Sequence, residues 1–186
     1  MIKYSDYKAV RNKTLELVKS LNAEDMMVQA NDYVSPIKWH LAHTTWFFEK
    51  FVLKKKKKYK SFSKSFDFLF NSYYLGLGSF NEKKSRGLSS RPYLDEILEY
   101  RKYIDGQILD LFSTKNEIFL RFIYLIQLGI NHEQQHQELI LMDILNNFYN
   151  NPMKPSFMKK KKLKKIKHKE VYWTNSETLT FKFGGD

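Results

Sequence analysis

The chain has 186 residues, 42% of them hydrophobic, which is enough to bury one core and too many for a disordered segment. It contains no cysteine, which excludes disulfides, iron–sulfur clusters and thiolate zinc sites and fits a reducing cytoplasm. The formal charge of +12 is local: Lys54–Lys60 and Lys159–Lys169 carry 14 of the 32 basic residues, leaving 18 against 20 acids, so the tracts read as solvated loops and not as a nucleic-acid surface.

The N-terminus, "MIKYSDYKAVRNK", has no apolar segment of the secretory kind. Residues 4–21 place Tyr7, Val10, Leu17 and Leu21 at helical spacing with charges elsewhere, an amphipathic first helix. In "SPIKWHLAHTTWFFEKFVL", Ser35 is placed to cap a second helix, and Pro36 suits its first position, where the missing N–H would have had no partner. That helix, predicted over 36–53, is apolar on most sides and belongs at the centre of the core. Residues 54–90 are too long for an idle connection and include "FDFLFNSYYLGLGSF", so a functional loop is expected.

A third helix starts near "SSRPYLDEILEYRKYIDGQILDLF", with Pro92 early and Asp95 and Glu96 in the first turns, where acids complement the dipole. A fourth runs over about 116–148. Its run "IFLRFIYLIQLGI" is broken by Arg121 and Gln127 and is too short to span a bilayer. After "NNPMKP" come the lysines and then "VYWTNSETLTFKFGGD", which alternates like a strand. The expectation is an all-α four-helix bundle over 1–152, with a long connection between helices 2 and 3. A lysine-rich linker and a short extended tail fill 153–186, and the protein is expected to be soluble and cytoplasmic, without nucleic-acid or membrane partners.

The chemistry centres on "NHEQQHQELILMDI", residues 131–144. His132 and His136 are one helical turn apart and share a face with Leu125, Leu128 and Leu139, so both imidazoles are expected to point into the bundle. Two unpaired imidazoles there would be costly, and a metal ion satisfies both at once. A facing helix supplies a third ligand in bundle sites, and His40 or His43 in "WHLAHTTWFF" can fill that role, whereas His168 lies in a lysine tract. Three neutral imidazoles leave coordination positions open, which suits zinc as a Lewis acid and equally a non-haem iron. A zinc peptidase would use Glu133 as base, but the acids that follow, Glu138 and Asp143, sit on the same helix and complete no such site.

The words "SPIKWHLAHTTWFFE", "LFNSYY", "RGLSSRP", "YRKYID" and "NHEQQHQELILMDI", followed by "NP" and a late "W…FGG", resemble the N-terminal, DinB-like domain of ergothioneine-biosynthesis sulfoxide synthases of the EgtB type. The resemblance covers about Ser35 to Gly185 and implies a DinB-like four-helix bundle holding Fe(II) through His43, His132 and His136. Family members use O2 to join the sulfur of cysteine or γ-glutamylcysteine to the imidazole C2 of hercynine. The resemblance places Gln135 near the hercynine imidazole, and Arg86 and Arg91 become candidates for the thiol substrate's carboxylates, which guanidinium forks suit. Tyr73 and Tyr74 are expected to fill core. The family continues into a lectin-like domain of the formylglycine-generating kind that supplies a catalytic tyrosine, and "FKFGGD" falls where it would start. The expectation is therefore an iron-binding half lacking the lectin-like domain: a fragment, a truncated gene product, or one subunit of a split enzyme whose partner chain carries that domain. The alternatives are a stand-alone DinB-like metal-dependent thiol transferase and a non-catalytic, metal-stabilised interaction module.

Overall fold

The computed structural model describes residues 2–72, 76, 78–114, 117–159 and 172–173. Among these residues, five α-helices follow in order: α1 (Tyr4–Val18), α2 (Ile37–Phe51), the short α3 (Phe66–Phe70), α4 (Leu94–Thr114) and α5 (Glu117–Asn150). The four long ones form the expected bundle, with α2 packed on α4 and α5 and α1 packed on α5. No strand occurs among the described residues, and the strand-like tail falls outside them apart from exposed Tyr172 and Trp173. Among the described residues no helix is long and apolar enough to cross a membrane.

The helices begin and end where local chemistry dictates. In α1, Asp6 accepts a hydrogen bond from the Lys3 N–H at 2.9 Å, satisfying a backbone donor that precedes the first turn. The helix stops at Val18, three residues short of the predicted Leu21. There Asn22 and Asp25 bond each other's backbone N–H, at 2.7 and 3.1 Å, and start a 3-10 turn over Asp25–Met27 instead. Ser35 does not cap α2 with its side chain. Its N–H donates to Asp143 at 2.8 Å and its hydroxyl accepts from Arg86 at 2.9 Å, so the residue joins α2 to α5 and to the long loop.

As expected, α2 is the central helix, buried from Ile37 to Glu49. Gly129 of α5 is what allows the close crossing: a Cβ at that position would overlap the Phe48 ring. On α4, Ile97, Tyr100, Ile104, Ile108 and Leu111 recur at helical spacing and form the buried stripe. This helix starts at Leu94, so Pro92 lies before it, and the Pro92 carbonyl accepts from the Lys38 ammonium at 2.7 Å. Leu128, expected on the inward face of α5, is 42% exposed.

The long connection between α2 and α4 is tied down rather than loose. The buried Glu49 carboxylate accepts from the Tyr59 hydroxyl (2.8 Å), the Phe62 N–H (3.1 Å) and the Tyr100 hydroxyl (2.5 Å). Phe66 of α3 packs edge-on against Phe70 and Tyr100. In the first lysine tract, Lys54 reaches both oxygens of Asp67 at 2.7 Å. Most of the second tract, with His168, lies outside the described residues, as do Tyr73 and Tyr74.

The middle of the bundle is ionic. Glu133 of α5 is fully buried and accepts from Arg11 of α1 (2.8 Å), Thr14 of α1 (2.7 Å) and Arg101 of α4 (2.9 Å). Arg11 also donates to Asp105 (2.7 Å) and to Thr45 of α2 (3.0 Å), and Arg101 bonds the Leu41 carbonyl (3.1 Å) and the Thr44 and Thr45 hydroxyls (3.2 Å each). Burial by itself raises the Glu133 pKa, but Arg11 and Arg101 outweigh it and hold the carboxyl at about 2.

Glu133→Gln leaves two buried guanidiniums facing a neutral amide, and removing one partner of such a group costs about 3–5 kcal/mol. Urea unfolding at pH 7 should register that loss. The contribution of Glu133 is complete above its unfolded value of 4.5 and disappears as the pH falls toward about 2. Wild-type and variant stabilities should therefore converge across that window.

Candidate metal centre

His43 lies in the middle of α2, and His132 and His136 lie one turn apart on the facing side of α5. One nitrogen from each ring lies within 4.8 Å of the other two. The ring centroids are 5.0 Å (His43–His132), 4.8 Å (His43–His136) and 4.6 Å (His132–His136) apart. Glu133 sits about 100° round the helix from His132, which is why the same turn sends a carboxylate into the ionic core and two imidazoles toward α2.

Aromatic walls hold the rings. Trp39 stacks on His43 at 4.4 Å and 12°, Trp46 stacks on the same ring at 5.6 Å and 19°, and Phe47 lies 4.7 Å from His132. The Arg86 guanidinium covers Trp39, 3.4 Å from the ring centre. His43 Nδ1–H donates to the Phe70 carbonyl at 2.6 Å, so α3 fixes that ring and leaves Nε2 to face the cluster. His136 Nδ1 lies 2.8 Å from Nδ1 of His40, whose Nε2 lies 2.9 Å from Asp143. His132 Nδ1 is buried and has no hydrogen-bond partner.

All three rings are kept neutral. Burial, then the neighbouring His132, depresses the His43 pKa well below the ordinary value; burial lowers His132 to about 4; burial and the crowd of His43, His40 and His132 push His136 far down. A divalent ion fits such a site. It has three uncharged nitrogen donors, one orphaned buried ring nitrogen and, among the described residues, no carboxylate in the cluster to favour a different cation. An imidazole set accommodates iron, zinc, copper or nickel, and three ligands leave room for further ones.

The predicted site residues are not all together. His43, His132 and His136 converge, while His40, the alternative third ligand, stands behind His136. Gln135 is exposed on α5 beside His136. Arg86 is buried against Trp39, and its charge contributes to lowering the His43 and His136 pKa values. Arg91 stays at the surface, stacked 3.7 Å over Tyr93 and donating to the Ser90 carbonyl. Glu133 cannot serve as a peptidase base, because both its oxygens are held by Arg11, Thr14 and Arg101. Sequence reasoning set Asp143 aside, although eleven residues at about 100° each place it within about 20° of His132. Trp39 and the Phe70 carbonyl carried no signal that distinguished them from core.

A model of the DinB superfamily matches residues 6–140, a span that includes all three converging histidines. The chain belongs to the DinB superfamily. None of the curated proteins matches it.

One equivalent of Co(II) or Zn(II) per chain should bind and raise the melting temperature, and EDTA should reverse the shift. His43→Ala, His132→Ala and His136→Ala should each abolish the shift. In the metal-free protein the depressed histidines bind fewer protons folded than unfolded, so stability is complete above about pH 6.5 and falls as the pH drops toward 4. Urea midpoints at pH 7.5 and pH 5 measure that fall.

Proposed function

We propose that this chain is the iron-binding domain of a non-haem Fe(II), oxygen-dependent sulfoxide synthase of ergothioneine biosynthesis. The observation that carries the reading is the three-histidine cluster between α2 and α5, set in the segments "SPIKWHLAHTTWFFE" and "NHEQQHQELILMDI". Fe(II) held by His43, His132 and His136 would supply the oxygen chemistry at the positions the imidazoles leave open. Overall, a thiol S–H and the C2–H of hercynine are replaced by a C–S bond. One oxygen atom of O2 ends on sulfur, and the other leaves as water with the two hydrogens.

The chain's own residues contribute binding and exclusion of water. Trp39, Trp46 and Phe47 wall the cluster with apolar surface. The positive charge of Arg86, close enough to act on His43 and His136, favours an anionic group there, such as the carboxylate of cysteine or γ-glutamylcysteine. Gln135 is proposed to meet hercynine from the exposed side of α5, and Arg91 to meet the thiol substrate from the loop. Turnover is proposed to draw on a lectin-like domain supplied by a separate chain.

Anaerobic Fe(II) titration followed by exposure to O2, hercynine and γ-glutamylcysteine tests the reading, with products resolved by mass spectrometry. Sulfoxide is expected when a lectin-like partner domain is added and only at trace level without it, and His43→Ala should give none. Full turnover by the chain alone would overturn the need for a partner. Iron binding unchanged by His43→Ala would overturn the ligand set. Transfer of a thiol to an electrophile, with no oxygen consumed, would instead mark a thiol transferase of the same bundle.

A further inference from the structure

His40 is buried, polar and outside the cluster, and its two nitrogens make two different contacts. Nε2 lies 2.9 Å from Asp143 Oδ2 and Nδ1 lies 2.8 Å from His136 Nδ1. We infer that His40 is a positioning residue that, with Asp143, dictates which nitrogen of His136 is offered to the metal. The inference rests on the reading of the three histidines as a metal site.

The direction of the chain follows from what each group is able to do. An ionised carboxylate only accepts, so the proton between Asp143 and His40 belongs to His40 Nε2. In the neutral ring the other nitrogen, Nδ1, is then an acceptor. Two nitrogens 2.8 Å apart share one hydrogen, and only His136 Nδ1–H is left to supply it. His136 is therefore protonated at Nδ1 and bare at Nε2, the same form that the Phe70 carbonyl imposes on His43.

The start of this relay is itself fixed. The same Asp143 oxygen accepts the Ser35 N–H at 2.8 Å, so the carboxylate is anchored to the backbone that enters α2. His132 has no equivalent partner on its buried Nδ1. Two of the three rings are thus preset for coordination, one by a backbone carbonyl and one by His40. Outer partners of this kind set ring orientation and donor strength at metal sites.

Long-range 15N–1H correlation of the metal-free 186-residue chain near pH 7.5 reads the tautomer directly, and Co(II) titration reads affinity. Wild type should show His136 with its proton on Nδ1. His40→Gln, whose amide keeps one acceptor and one donor, should retain that tautomer and bind Co(II) within a few-fold of wild type. His40→Phe should release the tautomer and weaken Co(II) binding roughly 10–100-fold, with circular dichroism unchanged. A proton on His136 Nε2 in wild type overturns the inference, as does His40→Phe binding Co(II) like wild type. Should His40→Phe not fold, the wild-type tautomer and His40→Gln decide. A wild type that takes up no Co(II) or Fe(II) overturns the metal reading itself, and is told apart because the tautomer is measured without metal.

Discussion

The interaction on which the bundle depends is the buried carboxylate of Glu133 held between two guanidiniums. Moving an ion of either sign out of water costs several kcal/mol, and the cost is recovered only when every charge finds a partner in good geometry. Here Arg11 comes from α1, Arg101 from α4, Glu133 from α5, and the Thr45 hydroxyl that both arginines bond comes from α2. A sliding or rotation of α1, α4 or α5 would strand a charge, and one of α2 would withdraw the hydroxyl that both arginines share. Apolar packing alone tolerates repacking, whereas this network admits one register.

That register has a direct consequence for the cluster. With Glu133 committed to α1 and α4, the residues about 100° and 60° round α5, His132 and His136, have to face α2. The backbone of α2 is in turn held where α5 needs it by the Asp143–Ser35 contact at its entrance and by the close approach of Gly129 to Phe48. The long connection then closes over the histidines: α3 brings the Phe70 carbonyl to His43, and Arg86 covers Trp39. The loop, expected to be functional from its length, matters because it finishes the walls of the cluster. Its gain is rigidity, since Glu49 gathers three donors that keep it in place.

Much was legible in the linear sequence because its signals are local. Helical periodicity marked α1, α2, α4 and α5, and the i, i+4 spacing placed His132 and His136 on one inward face. The polar exceptions were harder. Arg11 looked like one of the charges on the outer face of an amphipathic helix, yet it is only 2% exposed. Glu133 holds the place of a zinc peptidase's base, a role the sequence already spoke against without indicating what the residue does instead. Neither can be interpreted without its partner, 122 residues away in sequence. Helix ends were misplaced for a similar reason: Ser35 has the chemistry of a cap, and tertiary contacts with Asp143 and Arg86 claim it instead.

The sequence by itself determined the class of fold and the type of donor, since period and side-chain chemistry are properties of a few neighbouring residues. Spacing alone left open whether His40 or His43 turns toward His132 and His136, and the family resemblance pointed to His43. Those two residues are both on α2, three positions apart, and are both buried. The crossing of α2 with α5 is the physical reason for the difference, placing His43 among the imidazoles and His40 against Asp143 behind them. The decision is tertiary because it depends on rotation about a helix axis, which long-range charge pairing and one close glycine contact set, and which no local pattern records.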